Sequence, residues 1–126
     1  MQVYYFDSSA IVKRYISEVG SSWVVTITDT IAGNDILISL LARVEVSAAI
    51  FKKQREGSIS VAGAASAVTD FINDFGSQYQ PIEITVKLVE RAADLAHSHA
   101  LRGYDAVQLA AALESSDIRD SLVCPS

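Results

Sequence analysis

An α/β/α sandwich around a mostly parallel sheet is the fold class this sequence predicts, and three observations lead to it. Short apolar runs alternate with helix-like segments, as strand, two helices, strand, two helices, strand, two helices, strand. The strand runs lack strict polar–apolar alternation, as expected where helices cover both faces of a sheet. With 126 residues, half of them apolar and 20% charged, the chain has material for a single core. One domain spanning 1–126 is therefore expected, without repeats, linkers or low-complexity tracts.

Taken in order, VYYF at 3–6 is a compact apolar strand ending at Asp7. Ser8 or Ser9 can cap a helix, AIVKRYISEV, that stops at Gly20. Ser21 or Ser22 offers the next cap, for WVVTITDTIA, a weaker, β-branched helix ended by Gly33-Asn34. DILIS at 35–39 reads as a strand. From Ser39, LLARVEVSAAIFKKQREG forms a long helix whose basic last turn and Gly57 suit a C-terminus. Ser60 caps VAGAASAVTDFINDFG, QPIEI at 80–84 is the third strand, and Thr85 caps VKLVERAADLAHSHAL. A turn at Arg102-Gly103 leads into YDAVQLAAALESS, apolar on nearly every face, and SLVC at 121–124 is expected as a final strand.

The bulk properties restrict function. No stretch approaches the roughly 18 apolar residues of a membrane span. MQVYYFDSS has no basic segment before its apolar run, which Asp7 interrupts early, so a cytoplasmic location is expected. A lone Cys124 agrees with a reducing compartment and reads as a small hydrophobe. The formal charge of −5 argues against gripping a nucleic acid by overall basicity. An anionic substrate would need a local correction, such as a metal or a basic rim.

Three acids qualify for such a site. Asp7 lies at the carboxyl end of the first strand, a strand often central in open parallel sheets, where ligands collect. Asp105 lies in the first turn of a helix. Glu45 is the most telling, because its neighbours at three and four residues' distance, Leu41, Ala42, Ala48 and Ala49, are all apolar. A carboxylate there is desolvated unless a metal or a buried partner compensates it. Each acid also has a structural reading: Asp7 and Asp105 as favourable charges at helix starts, Glu45 as an ion-pair partner of Arg14 or Arg91. Spacing alone leaves both readings open.

The stretches YYFDSSAIVKRY, ARVEVSAAI and LRGYDAVQLAAAL resemble the three signature segments of PIN-domain ribonucleases, in the family's order and over essentially the whole chain. The similarity is to VapC-type toxins of type II toxin–antitoxin systems in particular. The resemblance implies a PIN-like α/β/α sandwich in which Asp7, Glu45 and Asp105 are catalytic and bind Mg²⁺ or Mn²⁺. It further implies hydrolysis of RNA phosphodiester bonds, a VapB-like antitoxin as partner, and a homodimer. Members commonly carry a fourth acid just after the strand corresponding to SLVC. Asp117 and Asp120 precede that strand and cannot supply it, so the domain reads as truncated after its last strand. The runner-up is therefore a PIN-like module that binds antitoxin or RNA but cuts poorly.

The remaining polar residues have plainer readings. His97 and His99, two apart on a helix, point in different directions and suit a solvated helix end. Lys52, Lys53 and Arg55 suit a helix C-terminus. Arg14 and Arg102 are equally open to contacting phosphate or orienting an acid, and Ser8 and Ser9 are caps first. Trp23, Tyr4 and Tyr5 read as core or interface residues. A phosphatase that uses an aspartate after its first strand wants a second aspartate two residues on, where this sequence has Ser9. A receiver domain would need an acidic pair that is not evident.

Overall fold

The computed structural model describes residues 2–121, with side chains described as far as Glu114. Strands β1 (Val3–Phe6), β2 (Asp35–Ser39) and β3 (Tyr79–Ile82) are each followed by two helices: α1 (Ser8–Tyr15) and α2 (Ser21–Thr28), α3 (Ala42–Arg55) and α4 (Val61–Ser77), α5 (Val86–His99) and α6 (Gly103–Ser121). A 3-10 turn, Thr30–Ala32, closes the α2 segment before Gly33 reverses the chain with φ +69°. As far as α6, the rhythm read from the sequence is thus the rhythm of the fold.

The strands are parallel and ordered β1-β2-β3, with Phe6 opposite Ile38 and Ser39 opposite Ile82. Successive residues of β2 point to opposite faces, and Ile36, Leu37 and Ile38 are all buried, so the strand's centre is apolar on both faces. On one face Phe6, Ile36, Ile38 and Tyr79 pack with Ile11, Val46, Ile50 and Phe71 from α1, α3 and α4. On the other, Leu37 and Ile82 meet Leu88 and Ala92 of α5 and Ala106, Ala110 and Ala111 of α6. Helices on both faces make the predicted α/β/α sandwich. The alanines let α6 lie close to the sheet.

Several boundaries differ from expectation, each for a local reason. Asp7, not Ser8 or Ser9, caps α1: its backbone is extended and its carboxylate accepts from the Ala10 amide. That helix ends at Tyr15, where Ile16 turns extended. Gly20, at φ +90°, enters α2, while Ser21 Oγ accepts from Glu18 N–H and donates to the Ile16 carbonyl. Helix α3 begins at Ala42 because Ser39 Oγ accepts from Leu41 N–H and shapes a turn first. Strand β3 starts at Tyr79 and stops at Ile82.

The largest difference is at α6, which continues through Ser116 to Ser121, with no glycine or proline between Gly103 and Ser121 to stop it. Ser121 is therefore helical rather than the first residue of a strand. The other positions of that predicted strand, 122–124, lie outside the described residues. Among the described strands β1 stands at an end of the sheet instead of its centre. A groove of about 470 Å³ runs beside it, walled by Tyr4, Phe6, Trp23 and Leu109, with Asp7 and Gln108 on its lining. No helix among the described residues is long and apolar enough to cross a membrane.

Candidate active site

The carboxyl ends of the parallel strands bring Asp7 and the start of α3 to one side of the sheet. Asp7 follows Phe6 directly, and its Oδ1 accepts from Ser9 Oγ at 3.0 Å and Ala10 N at 2.9 Å. Glu45 lies in the first turn of α3, after the turn that Ser39 shapes. Both acids act on the Tyr5 phenol. Burial raises the pKa of that hydroxyl, and the charges of Asp7, Tyr104 and Glu45 push it further up against the Ser39 backbone amide.

Glu45 is the anomaly here. Its Oε1 is buried with no hydrogen-bond partner, and so is Oγ of Ser8, a residue 5% exposed. A buried carboxylate oxygen without a partner is costly. Burial accordingly raises the Glu45 carboxyl above its ordinary value, opposed only in part by the Tyr104 hydroxyl. That hydroxyl faces both Ser8 and Glu45, and its own proton is held more tightly through burial and through Glu45. Pairing of Glu45 with Arg14 is not realised. Arg14 instead meets Asp74 at 3.4 Å and donates to Gln78 and Tyr79.

Asp105 is exposed in the first turn of α6. Three and four residues on, Gln108 and Leu109 line the β1 groove together with Asp7, so the helix carries Asp105 on that side. The three carboxylates are not drawn into one cluster as they stand. Among the described residues no group of three or more His, Cys, Asp or Glu is close enough to hold a metal ion. Chemically, the donor set still suits a hard divalent cation, since all three are carboxylates and Glu45 presents an oxygen with no proton donor. Ligation would have to draw Asp105 in, whereas Asp7 caps α1 through Oδ1 and has its second carboxylate oxygen to offer.

Two residues that sequence reading passed over belong to this site. Tyr104 and Gln108 connect it to Tyr5: Tyr5 Oη donates to Gln108 Oε1 at 2.5 Å, and Gln108 Nε2 donates to Tyr104 Oη at 3.1 Å. The available signal was Gln108 itself, an amide in the otherwise apolar run AVQLAAAL, where a buried polar side chain needs partners. The other candidates keep plainer roles. His97 and His99 are exposed at the end of α5, Lys53 reaches Glu18 at 3.9 Å, and Trp23 is half-exposed against Phe6.

Comparison with known proteins agrees with this geometry. The family model for the PIN domain matches residues 4–119. Ribonuclease VapC45 of Mycobacterium tuberculosis (strain CDC 1551 / Oshkosh) is 41% identical over 118 residues, 93% of this chain and 79% of the relative. Ribonuclease VapC49 of Mycobacterium tuberculosis (strain ATCC 25618 / H37Rv) is similar to the same extent. A parallel sheet between helices, acids at its carboxyl edge and this similarity along nearly the whole length make the chain a VapC-like member of the PIN-domain family.

Proposed function

We propose that this protein is a metal-dependent endoribonuclease, the toxin of a toxin–antitoxin pair, with Asp7, Glu45 and Asp105 as its catalytic, metal-binding acids. The observation that carries the proposal is the buried Glu45 oxygen without a partner, in the first turn of the helix that follows β2. Two relatives named as ribonucleases support the choice of reaction. Bound Mg²⁺ or Mn²⁺ would neutralise the scissile phosphate and make a water nucleophilic at neutral pH. Such an ion also accounts for how a chain of net charge −5 admits RNA. Asp7, Glu45 and Asp105 would hold the ion, with Glu45 contributing its unpaired oxygen. Burial of that oxygen keeps water from competing for it. For partners we propose a VapB-like antitoxin and a second copy of the chain. The outer face of α3, where Val44 and Phe51 are exposed one above the other, offers apolar surface for a protein contact.

The test is RNA cleavage with and without Mn²⁺, alongside Mn²⁺ titration of the metal-free protein. Asp7→Asn, Glu45→Gln and Asp105→Asn should each lower the rate by more than about 100-fold, beyond the 10–100-fold typical of losing an outer-sphere partner. Chelator should abolish cleavage by the unaltered protein. Cleavage that survives chelation, or equal Mn²⁺ binding by Asp7→Asn and the parent, would overturn the proposal.

A further inference from the structure

We propose that Gln108 and Tyr104 are positioning residues that orient the Glu45 carboxylate through a one-directional hydrogen-bond relay starting at Tyr5. The inference rests on the metal-site reading above and assigns it two further residues.

The polarity follows from the donors available. The Ser39 backbone amide faces the Tyr5 oxygen, which leaves the Tyr5 proton to be given away. Gln108 Oε1 accepts it, and an amide whose oxygen is engaged presents its N–H groups on the other side. Gln108 Nε2 donates to Tyr104 Oη, so the Tyr104 oxygen is already an acceptor. The Tyr104 proton must then point away from Gln108, towards the two buried groups that face it, Ser8 and Glu45. Only a carboxylate is purely an acceptor, so Glu45 is the stronger destination. Gln108 is 8% exposed, and a buried amide satisfied on both sides cannot turn over without breaking both bonds.

The relay's origin is also fixed. Ser39 is fully buried at the end of β2, and its Oγ shapes the turn that launches α3. Backbone from β2 and side chains from β1 and α6 therefore set the direction of one proton, and that proton sets the carboxylate on α3. With one oxygen held by Tyr104, Glu45 would keep the other for the cation.

The experiment compares the parent protein with Tyr104→Phe, Gln108→Leu and the double variant. Tyr15→Phe, far from these residues, is the control for a merely structural change. In metal-free protein labelled with ¹³C at glutamate carboxyls, the Glu45 resonance should move in Tyr104→Phe and Gln108→Leu but not in Tyr15→Phe. Mn²⁺ affinity should fall about tenfold in each relay variant, in the range expected for an outer-sphere partner. RNA cleavage should lose kcat by a similar factor with KM unchanged. The double variant should lose no more than Tyr104→Phe alone, because the two residues act in series. An unmoved Glu45 resonance, or losses that multiply in the double variant, would overturn the relay. A parent protein whose Glu45 resonance responds to Tyr104→Phe but which binds no Mn²⁺ would support the relay and overturn the metal reading.

Discussion

Glu45 holds its charge in surroundings that oppose it: burial raises its carboxyl pKa, and the Tyr104 hydroxyl offsets only part of that. A carboxyl with a raised native pKa binds its proton more tightly folded than unfolded. Its effect on stability is therefore neutral below the ordinary value of 4.5 and grows unfavourable as pH rises through the raised one. Glu45→Gln keeps the shape and removes the charge. The variant should melt at a higher temperature than the parent at pH 7, with the difference shrinking as pH falls through the raised value towards 4.5. The shrinkage runs from the raised value down to about 4.5, where the gap closes, and melting curves of the metal-free proteins at pH 4 and pH 7 decide it. A gap of the same size at both pH values would show that charge burial is not its source. Glu45 was legible in the sequence because its helical neighbours are apolar, a local property. Its companions were not. Tyr5 and Gln108 stand 103 residues apart, and a tyrosine in an apolar strand reads as core until a distant helix supplies its partner.

At the scale of the element, Asp7 does two jobs, and they can be separated. It caps α1 through Oδ1, and it is proposed to ligate a metal. Asparagine is as good a cap as aspartate, whereas alanine is not. Asp7→Asn should therefore keep the stability of the parent within a few tenths of a kcal/mol while losing Mn²⁺ binding. Asp7→Ala should lose the binding and also about 1 kcal/mol of stability. Urea unfolding of both variants measures this, and equal stabilities for the two would mean that the cap contributes nothing. Other caps were readable directly. Ser60 accepts from Gly63 N–H and Thr85 from Leu88 N–H, each the only capping side chain just before its apolar run. At α1 the sequence pointed to Ser8 or Ser9, and backbone conformation rather than residue type selected Asp7 just before them. The end of α6 was misread because ESSDIRDS is polar but holds no residue that breaks a helix.

For the whole molecule, the parallel sheet separates two polar clusters. The acids lie beyond the carboxyl ends of the strands, and a second network gathers where β3 begins. There Tyr15 Oη donates to Asp74 Oδ2 at 2.7 Å, and Arg14 Nη1 donates to Gln78 Oε1 and Tyr79 Oη, both at 2.8 Å. Gln78 Nε2 in turn donates to the Thr28 carbonyl, so α1, α2, α4 and β3 are joined by side chains converging on one guanidinium. The sandwich itself was legible from alternating apolar runs, because layer order depends on local pattern. This network was not, since its members lie 50 to 65 residues apart in the contacts that define it. Arg14 sits in a signature segment and was equally open to a phosphate or orienting role, yet its bonds tie helices together. Arg14→Met keeps most of the side chain's packing but leaves Asp74 and the Tyr79 hydroxyl short of a charged donor. Leaving such groups without that partner costs about 1–3 kcal/mol. The variant should unfold at lower urea with the slope unchanged, because the same surface is exposed on unfolding. Its Mn²⁺ affinity should equal that of the parent, since Arg14 touches none of the proposed ligands. A stable Arg14→Met variant that had lost Mn²⁺ binding would instead place Arg14 in the active site.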